Sequence, residues 1–219
     1  METKKLPPAV RDHALQIAHH EMGHYIVARA LGFETGGVTL MVTMDLRHKG
    51  GACITLARST SSLQALQAYL EARIMVLYAG AMAQTLPCAQ AREKRVDPSK
   101  AAAILNGAFG AEKDEAKIRE LRQLLRNITC PETDPLSSDS VTSELKAIHD
   151  RLWSRTQAIV EALAGTIAEL GQALVDRMVL VEQWGRPADT YEVALTREML
   201  ERLDPVEASS LAKIVNDNA

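Results

Sequence analysis

The sequence predicts a mainly α-helical domain with a small β-hairpin and a C-terminal bundle of helices. Alanine and leucine dominate its 219 residues, and hydrophobic residues reach 47% while aromatic residues reach only 4%. This composition is typical of helix-rich proteins. Two short β-rich runs interrupt long stretches in which apolar residues recur at three- and four-residue steps. We expect one domain over residues 1–219, with a first half at 10–128, C-terminal helices at 141–185 and a tail at 186–219.

The first half begins with a helix and a hairpin. A helix is predicted from about Val10 to Leu31, because it follows two prolines, shows helical periodicity and meets Gly32 at its end. Two β-rich runs follow, at Val38–Met44 and Ala52–Ala57, with two consecutive glycines between them. This arrangement predicts a small antiparallel hairpin.

The rest of the first half alternates helices with polar segments. Thr60, Ser61 and Ser62 are suitable N-caps for a helix that extends to about Leu86. Residues 87–100 are polar, charged and bounded by prolines, which predicts a loop. A short helical piece and a helix over about 111–128 complete this half.

The C-terminal half starts after a linker at residues 130–140, which is rich in proline, serine and aspartate. Residues 141 to about 183 form an Ala/Leu/Ile-rich stretch, and this predicts two helices broken near Gly165 or Gly171. One amphipathic piece, Thr196–Leu203, stands out in the tail.

Charge and cysteine usage exclude several classes of protein. The net charge of −3 indicates no bulk attraction to nucleic acid or to an anionic membrane. The three cysteines are far apart in the chain, so they predict no disulfide framework and fit a reducing compartment. No signal peptide is visible, and the most apolar segment, Ile74–Ala83, is half the length that spans a bilayer. We therefore expect a soluble, cytoplasmic protein.

The first predicted helix contains the chemistry-bearing motif His20-Glu21-Met-Gly23-His24. Two histidines one turn apart project from the same helix face, which is the spacing that a tetrahedral metal needs from two ligands on one element. Glu21 lies beside them, where it can take a proton from a water activated by zinc. Gly23 costs about 1 kcal/mol in a helix interior, so we expect another segment or a substrate to approach it closely. His19 lies about 100° away and is expected at the surface.

A catalytic zinc site of this kind needs a third protein ligand. The residues that could supply it by type and position are Glu71, Glu112, Asp114, Glu115 and His149. Spacing alone leaves all five open.

The sequence resembles the peptidase domain of FtsH-type ATP-dependent zinc metalloproteases. The likeness is carried by His20-Glu-Met-Gly-His24, by the hairpin, by Leu77–Gln84 and by Gly110-Ala-Glu-Lys-Asp114, and it covers most of residues 10–185. It implies a helical zincin-like metalloprotease fold, with Asp114 as the third zinc ligand. The chain departs from the family at Ala81 and Gln84, where arginine and glutamate are usual, and in a longer segment before Asp114.

These features predict a zinc-dependent endopeptidase that hydrolyses unfolded or flexible polypeptides, with Zn²⁺ on His20, His24 and Asp114 and with Glu21 as general base. The sequence contains no Gly-x-x-x-x-Gly-Lys-Ser/Thr loop, so the resemblance implies that any ATPase would be a separate partner. The prediction includes no nucleic acid or membrane partner and is compatible with a homo-oligomer. Two alternatives stay open: a small regulatory metalloprotease with a glutamate as third ligand, and a non-catalytic metal-binding interaction protein.

Overall fold

Helix α1 (Pro8–Ala30) runs through the centre of the structure. The structure is a computed structural model, and it describes residues 6–87, 94–108, 111–181, 189–203 and 208–217. Proline at its first position presets the helical φ angle, and Gly32 follows its end with a φ of +78°. Every residue from His19 to Ala28 is buried. The helix packs against other helices and against the hairpin, so its second half is enclosed on all sides, whereas residues such as Asp12 and Gln16 in its first half are exposed.

The predicted hairpin is confirmed, with strands that start earlier than expected. Strand β1 (Thr35–Thr43) pairs antiparallel with β2 (His48–Ile54), and Leu40 lies opposite Gly50. Residues 55–57, which were predicted to belong to the second strand, lie beyond β2. Both strands pack against α1, so the hairpin covers the helix that carries the histidine motif.

Two further strands complete an antiparallel sheet. Strands β3 (Val179–Val181) and β4 (Thr190–Leu195) extend it to the order β2-β1-β4-β3 among the described residues. Strand β4 pairs with β1 from the opposite end of the chain, with Val38 beside Leu195. The interpretation of residues 186–219 as a tail missed this strand. Its position makes β1 an interior strand and leaves β2 at the edge.

The described residues of the first half continue with α2 (Leu63–Ala83), α3 (Pro98–Ala103), a π-helical turn at Ile104–Ala108 and α4 (Glu112–Thr129). The predicted cap of α2 is confirmed, because the Ser62 hydroxyl accepts a hydrogen bond of 3.0 Å from the Ala65 N–H. The loop predicted over 87–100 ends earlier than expected, since Asp97 caps α3. Residues 88–93 of that loop lie outside the described residues.

The C-terminal half consists mainly of helices: α5 (Ser138–Ala162), α6 (Ala164–Val175), α7 (Arg197–Leu203) and α8 (Ala208–Asp217). The predicted break is present but falls at Leu163, and both glycines proposed for it lie inside α6. Helix α6 ends at Val175, short of the predicted 183, because strand β3 follows it. No single helix in the described ranges is both long and apolar enough to cross a membrane, and α5 with α6 meets those criteria only as a pair bent by 67°.

Candidate metal centre

His20 and His24 lie one turn apart on α1, and their imidazoles converge. Their Nε2 atoms are 3.0 Å apart, and the two rings meet edge to face with centroids separated by 4.6 Å. Both residues are less than a tenth exposed, His20 at 9% and His24 at 8%. The helical spacing in the sequence therefore brings two nitrogen ligands to one sheltered point.

Asp114, in the first turn of α4, brings a carboxylate to the same point. Its Oδ2 lies 3.1 Å from His24 Nε2 and 3.4 Å from His20 Nε2. Tetrahedral zinc with ligands at about 2.0–2.2 Å separates them by roughly 3.3–3.6 Å, so the three donors need shifts of only a few tenths of an ångström. The three residues form a group that could hold a metal ion, whereas Glu112 and Glu115 of the same turn do not join it.

Two other candidates for the third ligand are engaged elsewhere. The Glu71 carboxylate forms a 2.9 Å ion pair with Arg151. His149 lies on α5, where its Nδ1 is 2.7 Å from the Tyr78 hydroxyl. Neither residue belongs to the histidine cluster among the described residues. Of the five carboxylate and histidine candidates, the structure groups Asp114 alone with the two histidines.

The far side of each imidazole is held by an oxygen atom from α2. His20 Nδ1 donates to Gln84 Oε1 at 2.9 Å, and His24 Nδ1 donates to the Val76 carbonyl at 2.7 Å. Because Nδ1 holds a proton in both rings, loss of the proton from Nε2 would leave a lone pair there for a metal. In the sequence, Gln84 stands out only as a departure from the FtsH-like pattern. In the structure, its side chain orients the His20 ring. The Val76 contact uses the backbone, so no side chain could have indicated it.

Two glycines allow α1, α2 and the imidazoles to approach closely. A Cβ atom at Gly80 would lie 2.8 Å from His20 Nε2 and still closer to the His24 ring. A Cβ atom at Gly23 would lie 2.5 Å from the Ala83 Cβ and 2.6 Å from the Ala79 carbonyl oxygen. The close approach expected at Gly23 is thus made by α2, while Gly80 leaves the room that the imidazoles occupy.

Glu21 lies beneath the edge strand of the sheet. It is 8% exposed, and a Cβ atom at Gly50 of β2 would lie 2.5 Å from its Oε1 and 2.9 Å from its Cδ. The absence of a side chain at Gly50 therefore gives the carboxylate its position between α1 and β2. Glu21 borders the same cleft as the His20, His24 and Asp114 group.

The charges of the cluster suit a cation. Burial raises the pKa of Asp114, but hydrogen bonds from His20 and His24 outweigh it and hold that pKa well below its usual range. The pKa of His24 is raised above its usual value. Burial alone would lower it, but the hydrogen bond to Asp114 and the negative charges of Asp114 and Glu21 have the larger effect. Asp114 is therefore ionised at neutral pH, as a metal-ligating carboxylate must be.

His19 is buried, and its predicted surface position is wrong. It is 2% exposed, and its ring packs so closely on α6 that a Cβ atom at Gly171 would lie 2.5 Å from its Cδ2. Burial lowers the pKa of His19 to about 4, so it is neutral at physiological pH. His19 lies on a different side of α1 from His20 and His24, as expected, but α6 covers that side. The close contact is made possible by Gly171, whose lack of a side chain leaves room for the ring.

The histidine cluster opens into a cleft of about 370 Å³, bordered by α1, α2, α4 and strand β2. Two imidazoles and a carboxylate can hold a divalent metal and leave a coordination position directed at the cleft. No protein-family model matches the chain, and no curated protein matches it.

Proposed function

We propose that this chain is a zinc-dependent endopeptidase that hydrolyses unfolded or flexible polypeptides. The observation that carries the proposal is the convergence in one cleft of His20, His24 and Asp114 with the buried carboxylate of Glu21. Three protein ligands and an open position are typical of catalytic zinc, whereas structural zinc is normally closed by four protein ligands.

Each residue of the cleft has a role that follows from its chemistry. His20, His24 and Asp114 hold the metal, which when bound supplies Lewis acidity and lowers the pKa of water. Glu21 accepts the proton from the attacking water and delivers it to the amine that leaves. Gln84 and the Val76 carbonyl fix the ring orientations through the contacts described above.

Strand β2 offers the binding edge for an extended substrate. Strand β1 is paired on both sides, by β2 and by β4, so it has no free edge for a substrate. Strand β2 has one neighbour in the described sheet, and its Gly50 lies against Glu21. Backbone hydrogen bonds along such an edge hold a polypeptide without requiring a particular sequence.

The resemblance to FtsH-type peptidase domains supports the same proposal. It implies Asp114 as the third ligand, and the carboxylate Oδ2 of that residue lies 3.1 Å from His24 Nε2. The mainly helical fold with a small sheet is compatible with the zincin-like architecture that the resemblance implies. Because the FtsH-type family couples its peptidase to an ATPase, we extend the proposal to an ATPase partner that unfolds substrates; residues 1–219 themselves contain no phosphate-binding loop sequence.

The alternatives receive less support from the geometry. A glutamate as third ligand would have to come from Glu71, Glu112 or Glu115, and none of these joins the histidine cluster among the described residues. A non-catalytic metal site would have no use for Glu21, which is nevertheless held buried beside the ligands.

The test combines metal content with cleavage of an unstructured protein. The purified chain is expected to bind about one zinc ion and to lose cleavage activity on chelation. His20→Ala, His24→Ala and Asp114→Ala are each expected to lower zinc affinity, whereas Glu112→Ala serves as a matched control that keeps it. Full zinc binding by all three ligand variants would place the metal elsewhere. A zinc-loaded wild type that cleaves no unstructured protein would refute the peptidase function.

A further inference from the structure

The cleft carries more positive charge than the chain as a whole. The net charge of the sequence is −3, yet four lysine and arginine side chains border the cleft against three carboxylates. The cationic residues are Lys49, Arg73, Lys113 and Lys117. A divalent metal on the histidine cluster would add two further positive charges. The cleft is therefore a positive region on a protein that is otherwise negative.

Three of these cations, Lys49, Arg73 and Lys113, form no salt bridge within the described residues, although Arg73 is close enough to Asp114 to be influenced by its charge. Lys117 Nζ, in contrast, lies 3.5 Å from Asp114 Oδ1. Unpaired cations around a concave site are available to a ligand.

The three unpaired cations come from three different walls of the cleft. Lys49 precedes Gly50 on the edge strand β2, Arg73 is a partly buried residue of α2, and Lys113 precedes Asp114 on α4. An extended chain lying along β2 would therefore meet positive charge both on that strand and on the opposite wall. Carboxylate side chains on that chain would gain charge-assisted contacts that amide or ammonium side chains cannot make.

We propose that the cleft selects polypeptide segments rich in aspartate and glutamate, with Lys49, Arg73 and Lys113 as the residues that determine this specificity. This inference rests on the proposed peptidase function for the identity of the ligand as a polypeptide. Exposed ion pairs are individually weak, so three of them predict a preference of about ten-fold at low ionic strength. Because salt screens such contacts, the preference is expected to shrink at about 0.5 M salt.

The experiment measures binding and cleavage separately. Three fluorescent, unstructured peptides of equal length carry glutamate, glutamine or lysine at the same positions. Their affinities for zinc-loaded Glu21→Gln protein are measured by anisotropy at low and high salt, and their kcat/KM values are measured with wild type. The double variant Lys49→Glu/Lys113→Glu changes two exposed side chains and is expected to keep the fold and reverse the order of affinities. Lys146→Glu is the matched control, since Lys146 lies on α5 with its side chain 72% exposed.

The outcomes separate the specificity from the peptidase function. Tightest binding of the glutamate peptide, lost in the double variant and kept in Lys146→Glu, supports the inference. Equal binding of all three peptides, or binding of none, overturns it. If wild type cleaves all three peptides equally, the specificity fails while the peptidase function stands. If the glutamate peptide binds tightest but wild type cleaves none of them, the peptidase function fails while the specificity stands.

Discussion

Replacing Gly80 by alanine is expected to remove the metal while leaving the fold nearly intact. The added methyl group would sit 2.8 Å from His20 Nε2 and nearer still to the His24 ring, well inside the 3.5–4.0 Å of normal contact. The rings are tied to Gln84 and Val76 on their other sides, so they cannot turn away without breaking those hydrogen bonds. The clash therefore displaces the two nitrogen atoms that bind the metal.

The two effects of this substitution on stability nearly cancel. Alanine in place of glycine in a helix interior stabilises by about 1 kcal/mol, and overpacking costs about 1–3 kcal/mol. We expect the free energy of unfolding of the metal-free protein to fall by about 2 kcal/mol or less. Disturbing contacts that orient ligands typically costs 10–100-fold in metal affinity, and Gly80→Ala displaces the ligands themselves. A loss of at least 100-fold is expected.

The assay is zinc competition against a chelator, paired with urea unfolding of the metal-free protein. Gly165→Ala on α6 is the matched control, because its Cβ atom would meet only Lys94 Nζ at 3.7 Å among the described atoms. That variant is expected to keep wild-type zinc affinity. Gly80→Ala protein that binds zinc as tightly as wild type would refute the proposed position of the metal.

Three further predictions address the orientation of the ligands, pH dependence and substrate. Gln84→Ala is expected to lower zinc affinity by about 10–100-fold. Gln84→Glu is expected to keep the affinity, since a carboxylate oxygen can accept the hydrogen bond from His20 Nδ1 as the amide oxygen does. Equal zinc affinities in wild type and both variants would contradict this role of Gln84. Burial is the main cause, and the neighbouring His48 at 3.0 Å the second, of the lowered pKa of His13 in the folded protein. The unfolded chain therefore takes up a proton at this residue at a higher pH than the folded chain does, and the free energy of unfolding decreases as the pH falls below about 6.5. Between pH 7 and pH 5, urea unfolding should show a larger decrease in the free energy of unfolding for wild type than for His13→Gln. Equal decreases in the two proteins would refute this contribution of His13. Last, a destabilised mutant of a small domain should be degraded faster than its stable parent, with no effect of ATP, because a stable domain unfolds only rarely. Rapid, ATP-stimulated loss of the stable parent would contradict this.

The part of the site that lies within one helix could be predicted from the sequence. His20, Glu21 and His24 are related by local helical geometry, which spacing alone determines. Asp114 needed the resemblance as well, because its contact with the histidines depends on how α4 packs 90 residues away. The positions of Gly80 and the Val76 carbonyl relative to the imidazoles depend on how α2 packs against α1, which the local sequence of neither helix determines.

The parts of the fold that could not be predicted depend on pairing between distant segments. Strand β4 is six residues long, and its pairing with β1 joins Leu195 to Val38 across most of the chain. Tyr191, Val193 and Leu195 alternate along it, but so short a pattern does not show with which strand the segment pairs. His19 was misplaced for a related reason, since its exposure depends on the position of α6. The break between α5 and α6 falls at Leu163, close to Gly165 as predicted, whereas Gly171 serves close packing against His19 rather than a change of direction.

The central claim is that Glu21 acts as general base beside a metal on His20, His24 and Asp114. The most direct test compares wild type with Glu21→Gln, both loaded with zinc to one equivalent, in the cleavage of one unstructured protein. The account predicts equal zinc content and a loss of activity of at least 10²–10⁴-fold, because an amide cannot accept the proton of water. Activity of the zinc-loaded Glu21→Gln protein within a few-fold of wild type would contradict it.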